Sequence, residues 1–368
     1  MSDFASREGF DLALIFRNPV LSDDAGRDHG DPFVLRYLGT YYLYHTGRRG
    51  VQLYTSPDLV NWEYAGTPLR ASELPDHWAQ TDLWAPEGLY YRGTFYMYVA
   101  GTRLAENGRG DDTLRRQGLA RSDSPAGPFV WDDKPLIDEW SIDGHPYQDP
   151  DGSLWLYYNV RTEATRYADG TTGCGNVVQR LAAPDMPVGE QVPVAFPSER
   201  WEGNSEGTWY WNEGACVLKR RDTYYQMYSG GWFGDGTYAI GFATAPSHRG
   251  PWRKYAENPI FRSTQQVVGP GHHCVTVAPD GATPYVVYHA HVPGLRGRKV
   301  HIDRLYWVGD RPAIAGPTAG DQPYPPRAVF ADEIPHWQLS AWVKGRSVTV
   351  GGVAVDLTAT YYQRLEVT

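Results

Sequence analysis

Thr40-Tyr41-Tyr42-Leu43-Tyr44-His45 decides the fold, because the same short aromatic run returns four more times along the chain. Its counterparts are Thr94-Phe95-Tyr96-Met97-Tyr98-Val99, Ser153-Leu154-Trp155-Leu156-Tyr157-Tyr158, Thr223-Tyr224-Tyr225-Gln226-Met227-Tyr228 and Thr283-Pro284-Tyr285-Val286-Val287-Tyr288. A spacing of roughly 55 to 70 residues suits propeller blades and not helical repeats. Five copies of a four-stranded unit close into a ring whose first strands converge on a central funnel. The sequence therefore predicts an all-β chain, a five-bladed β-propeller.

Each unit has one internal order: an opening strand, a turn with Gly or Asp, the aromatic run, and a third strand ending in a Ser-Pro or Ala-Pro turn. Pro57 to Trp62, Pro125 to Phe129 and Pro246 to Trp252 then read as entries to a short outer strand that shields the blade edge. This places blades at about 28–80, 81–140, 141–205, 206–262 and 263–318 within a catalytic domain of residues 1–318. Residues 319–368 read as an appendage, with a Pro-rich linker at Asp321 to Pro326 and a β-hairpin around Gly351-Gly352.

Composition agrees with a strand-rich globule: 14% aromatics, 40 Gly and 28 Pro punctuate turns, and Gly or Pro interrupts most windows long enough for a helix. A formal charge of −9 offers no basic face for nucleic acid. No apolar stretch is long enough to cross a bilayer. Cys174, Cys216 and Cys274 form neither a disulfide framework nor a zinc motif, and Cys216 and Cys274 read as buried core thiols. Met1-Ser2-Asp3-Phe4 carries no signal-peptide pattern, so a cytoplasmic location is expected for the chain as written, with a secreted form whose signal was removed as the alternative. Oligomeric state is left open.

Three blade openings carry acids. Asp31 lies in Gly30-Asp31-Pro32-Phe33-Val34, Asp143 in Ile142-Asp143-Gly144-His145, and Glu213 in Asn212-Glu213-Gly214-Ala215-Cys216. Each stands at the entry to an inner strand, which a propeller would aim at one end of its funnel. Taken singly, an Asp before Pro or Gly is more often a turn residue. Hydrolysis of a glycosidic bond with inversion needs an ionised base and a protonated acid, and a further carboxylate can raise the acid's pKa. These three openings supply such parts.

On these motifs, with Asp149-Pro150-Asp151-Gly152 after the second aspartate, the chain over about residues 15–318 resembles glycoside hydrolase family 43. The resemblance implies Asp31 as general base, Asp143 as pKa modulator and Glu213 as general acid. It places Trp84, in Trp84-Ala85-Pro86-Glu87, on the sugar pocket and Arg298 on sugar hydroxyls, with Arg296 as its competitor. It also puts His272, in Gly269-Pro270-Gly271-His272, at the position of an axial histidine on a structural calcium or a water cluster. No cofactor is required for the chemistry. From the residues themselves, His29 is a candidate polar contact in the funnel and Trp232 with Phe233 a rim platform for sugar faces. Glu206 is a competing acid.

The activity this implies is inverting, exo-acting release of terminal α-L-arabinofuranose from pentose-containing plant cell-wall oligosaccharides. Alternatives are β-D-xyloside hydrolysis, endo-arabinanase action and a sugar-binding propeller without catalysis. A retaining fructanase-type propeller is disfavoured because no Arg-Asp-Pro motif is present.

Overall fold

The computed structural model describes residues 15–22, 26–162, 165 and 173–327, together with the backbone of strands at Trp342–Lys344, Ser347–Val350 and Val353–Asp356. Five antiparallel four-stranded sheets are arranged as a five-bladed propeller. Their innermost strands are Phe33–Tyr37, Thr81–Tyr91, Ser141–Gln148, Asn212–Arg220 and Val268–Val277 in blades I to V. The five aromatic runs form the second strands, Thr40–His45, Thr94–Thr102, Leu154–Val160, Thr223–Gly230 and Pro284–His291.

The recurrent tyrosines have a physical reason beyond strand propensity. The fifth residue of the first three runs reaches across a seam to the turn region of the next blade. Tyr44 donates to the Pro125 carbonyl, Tyr98 to the Pro184 carbonyl at 2.7 Å, and the Tyr157 hydroxyl meets His248 Nδ1 at 2.7 Å. All three side chains are buried, so each contributes apolar area to the seam and satisfies its hydroxyl there. Tyr41 performs the closing version, donating to the Val277 carbonyl of blade V at 2.8 Å.

Outer strands are two residues long in blades II and IV, as the shielding turn predicts, but run over Glu63–Arg70 in blade I and Met186–Ala195 in blade III. In blade V the outer strand Arg311–Ile314 covers only the far half of the third strand, Lys299–Val308. The near half is paired by the chain's own start. Val20 N donates to Val300 O at 2.9 Å, and Asn18 exchanges side-chain bonds with the Ile302 backbone at 2.8 and 2.9 Å. Ring closure therefore satisfies an edge that would otherwise be open.

The Pro-rich stretch after the ring is anchored: Gln322–Pro323 pairs with Ile15–Phe16, and Tyr324 packs edge-on against Phe16. Further on, Ser347–Val350 pairs antiparallel with Val353–Asp356, with Trp342–Lys344 on the other side; the glycines of that hairpin lie outside the described residues. The three cysteines are free and buried.

Candidate active site

One slot recurs in every inner strand. In register, Phe33, Glu87, His145, Cys216 and Cys274 each face the fifth residue of their aromatic run. Two residues earlier stand Asp31, Ala85, Asp143, Gly214 and His272, all left-handed, with φ of 59, 46, 56, 59 and 44°. In blades II to V the ladder shifts register at this point, so each strand begins with a bulge. Four of the five residues have a Cβ that disfavours this conformation, and such strain collects where a side chain must be aimed.

One residue earlier again are Gly30, Trp84, Ile142, Glu213 and Gly271. Trp84, Ile142 and Glu213 line a cavity of about 770 Å³, together with Asp31, Asp143 and His272 from the recurrent slot. All five blades thus contribute. The two glycines make room for groups arriving from elsewhere. A Cβ on Gly30 would fall 1.9 Å from the Arg298 guanidinium carbon, and one on Gly271 would fall 2.3 Å from the Tyr238 ring.

Asp31 is braced from several sides. Arg298 Nη1 donates to its Oδ1 at 2.8 Å, His272 Nδ1 lies 3.5 Å from the same oxygen, and the Thr46 hydroxyl donates to Oδ2. Burial alone would raise the Asp31 pKa, but the charges of Arg298 and His272 outweigh it and hold the carboxyl well below the usual range. Asp31 is therefore ionised at neutral pH. Arg298 also sends Nε and Nη2 to Asp28, at 3.1 and 2.6 Å from its Oδ2. Its planar fork spans two carboxylates, a task lysine could not perform.

Across the cavity the sense reverses. Burial raises the Glu213 carboxyl and the Asp31 charge adds to it, with His272, Tyr238 and Trp211 opposing. Asp143 is pushed up to about 8 by burial and by the charges of Glu213 and Asp31, against the pull of His272. Asp143 Oδ2 accepts the Gly214 amide at 3.2 Å, which ties it to the strand start that carries Glu213. The Asp143–Glu213 pair accordingly retains a proton near neutral pH. Glu213 is held at both oxygens, by the Tyr238 hydroxyl at 2.6 Å and by Trp211 Nε1.

Trp84 lines the cavity, and the buried Arg115 guanidinium lies over its ring, 3.2 Å from the centroid. Trp232 and Phe233 stand half-exposed at the rim, with Trp209 beside Trp232. The Arg161 guanidinium lies 4.0 Å over the Trp140 ring and donates to Asp112 at 2.9 Å, forming the wall next to Trp211.

His29 does not reach the cavity. It is fully buried against His45 and Tyr54, with centroids at 5.0 and 5.9 Å, because the left-handed turn at Asp31 interrupts the alternation that would have brought both residues to one face. The competing Glu206 and Arg296 are exposed and do not line the cavity. Burial alone would lower the His272 pKa, but Asp31, Asp143, Glu213 and Glu87 together raise it. Among the described residues no group of three or more His, Cys, Asp or Glu side chains is arranged to hold a metal. An imidazole facing a carboxylate is a poor donor set for calcium, which takes six or more oxygens, so no step below involves a metal.

Asp28, Thr46, Trp211 and Tyr238 are site residues that sequence reading did not assign. Asp28 and Trp211 had a usable signal, lying two or three residues from Asp31 and Glu213. Tyr238, 25 residues beyond Glu213, had none.

Comparison with known proteins places this geometry. The family model described as glycosyl hydrolases family 43 matches residues 16–311. The chain is 27% identical over 291 residues to an extracellular exo-alpha-(1→5)-L-arabinofuranosidase of Streptomyces chartreusis, covering 75% of this chain and 82% of that protein. It is also 27% identical over 298 residues to the beta-D-galactofuranosidase xynD of Aspergillus niger, covering 76% and 79%. Among solved structures, a thermostable family-43 glycoside hydrolase superposes with a TM-score of 0.74 at 36% identity, covering 84% of this chain and 99% of the other.

Proposed function

Because the chain belongs to glycosyl hydrolases family 43 and is a glycoside hydrolase, we propose that it releases terminal α-L-arabinofuranose with inversion at the anomeric carbon. The observation that carries this reading is the opposed setting of two carboxyls lining one cavity. Asp31 is ion-paired to Arg298 at 2.8 Å and held ionised, whereas buried Glu213 is bonded to the neutral donors Tyr238 and Trp211 and, with Asp143, retains a proton. Asp31 takes a proton from water as that water attacks the anomeric carbon. Glu213 delivers its proton to the departing glycosidic oxygen, and the proton that the coupled Asp143–Glu213 pair retains keeps that acid supplied. Walls drawn from all five blades suit a chain end better than a chain interior, and the half-exposed rings at the rim suit sugar C–H faces.

Two of the relatives described above are named for furanosides of L-arabinose and D-galactose, which favours a five-membered glycone over a xyloside. The test is proton NMR of the enzyme with aryl α-L-arabinofuranoside, aryl β-D-galactofuranoside and aryl β-D-xyloside in separate tubes. Arabinose appearing first as the inverted anomer is the expected result. Retention would overturn the roles of Asp31 and Glu213, and xylose alone would overturn the glycone.

A further inference from the structure

The acid and the base are linked by a pair of stacked rings that the reaction scheme above does not use. The Tyr238 hydroxyl donates to Glu213 Oε1 at 2.6 Å. Its ring lies parallel to His289, with centroids 5.5 Å apart and an interplanar angle of 6°. His289 Nδ1 in turn accepts the Asp31 backbone amide at 3.0 Å and lies 3.3 Å from Asp31 Oδ1. Both rings are about 1% exposed, so neither can swing away without opening the core. Gly271 completes the arrangement, since any side chain there would occupy the place of the Tyr238 ring.

Resting on the inverting reading above, we propose that Tyr238 is a positioning residue that fixes Glu213 against Asp31, the hydroxyl holding the acid and the ring setting its distance from the base. Carboxyl separation is what divides inverting from retaining hydrolysis. A rigid stack, braced on the backbone of the base and bonded to the side chain of the acid, determines that separation mechanically. The two parts of Tyr238 then have separable effects. The hydroxyl matters when a proton must be delivered along a defined direction, and the ring matters for every substrate.

The experiment compares the wild type with Tyr238→Phe and Gly271→Ala on an activated aryl α-L-arabinofuranoside and on an alkyl α-L-arabinofuranoside with a poor leaving group. Tyr238→Phe keeps the stack and loses one bond to the acid. Its kcat should fall about 10- to 100-fold on the alkyl substrate and less than about 3-fold on the aryl one, with KM unchanged. A purely structural tyrosine would depress both alike, so equal losses, or none, overturn the assignment. Gly271→Ala pushes the ring from its place and should lower kcat on both substrates by about 100-fold or more while the protein still melts cooperatively. Full activity in that variant overturns the spacer role. A wild type silent on both substrates overturns the proposed function itself, and this assignment with it.

Discussion

Replacing Arg298 with alanine tests whether this residue serves the base or the sugar. Resemblance to the family assigns it to sugar hydroxyls, yet its three guanidinium nitrogens donate to Asp28 and Asp31. At the 2.8 Å separation of Nη1 from Asp31, an effective dielectric of about 20 gives roughly 6 kcal/mol of attraction before desolvation. Removing one partner of such a buried pair costs about 3–5 kcal/mol, because the remaining charge is stranded. For a ring of this size that corresponds to a fall in Tm of about 6–10 °C at pH 7.

The pH dependence makes the test sharper. In the wild type the Asp28 and Asp31 carboxyls both lie below their ordinary values. Their stabilisation is present above the unfolded pKa of about 3.9 and is lost only as pH falls through the lower folded values. In Arg298→Ala, Asp31 remains buried without its cation, so taking up a proton relieves it as pH falls. The Tm gap should therefore narrow between pH 7 and about pH 4.5, as read by parallel thermal melts. Initial rates should drop about 100-fold or more with either leaving group, since the base is no longer aimed. If the gap stays constant with pH, or if only KM rises, the arginine acts on the sugar and the bracing argument fails.

Glu213→Gln should cost several orders of magnitude in kcat on alkyl or oligosaccharide substrates and far less on activated aryl glycosides, read from paired initial rates, because only poor leaving groups need the proton. Asp31→Ala should abolish turnover on both classes while sugar binding, followed by calorimetry, persists. Asp149 lies away from the cavity and accepts Lys219 and His248 at 2.9 Å and Tyr224 as well. Burial opposes these partners, which nevertheless hold its carboxyl down to about 2. Asp149→Asn should lower stability by about 1.5–3 kcal/mol in urea titrations at pH 7 and leave kcat at 25 °C unchanged. That deficit should vanish as pH falls from about 4 towards 2, where the wild-type advantage is lost.

The blades were legible because one local device is repeated. A tyrosine placed in the same position of several second strands must satisfy its hydroxyl, and the next blade's turn offers a partner there, so the run recurs in the sequence. Asp31 and Asp143 were legible for a related reason: both occupy the left-handed slot, where aspartate is better tolerated than most residues. Glu213 could be found from its spacing to the Thr223 run, although Gly214 and not Glu213 fills that slot in blade IV. Other parts left no periodic trace. Tyr238 reaches Glu213 from the lead-in to a third strand, and Asp28 touches Arg298 across 270 residues of sequence. His29, a candidate funnel contact by sequence, is instead buried against His45 and Tyr54, two residues before the left-handed Asp31.

The one-residue offset of the acid carries the chemistry of the site. Had Glu213 occupied the recurrent slot, it would lie at the level of Asp31, Asp143 and His272. Standing one residue earlier, it belongs to the level of Trp84 and Ile142, which line the sugar cavity, while Gly214 takes the left-handed conformation without strain. Base and acid thus occupy successive levels of one ring. Replacing Gly214 with alanine would put a Cβ 3.3 Å from His272 Nδ1 in that left-handed conformation. A non-glycine residue there costs about 1–2 kcal/mol, and relief by rotating the strand start would carry Glu213 with it. Gly214→Ala should therefore lose activity on poor leaving groups well beyond its modest loss of stability, compared by initial rates and thermal melts. A variant that loses stability alone would show that the offset is incidental to proton delivery.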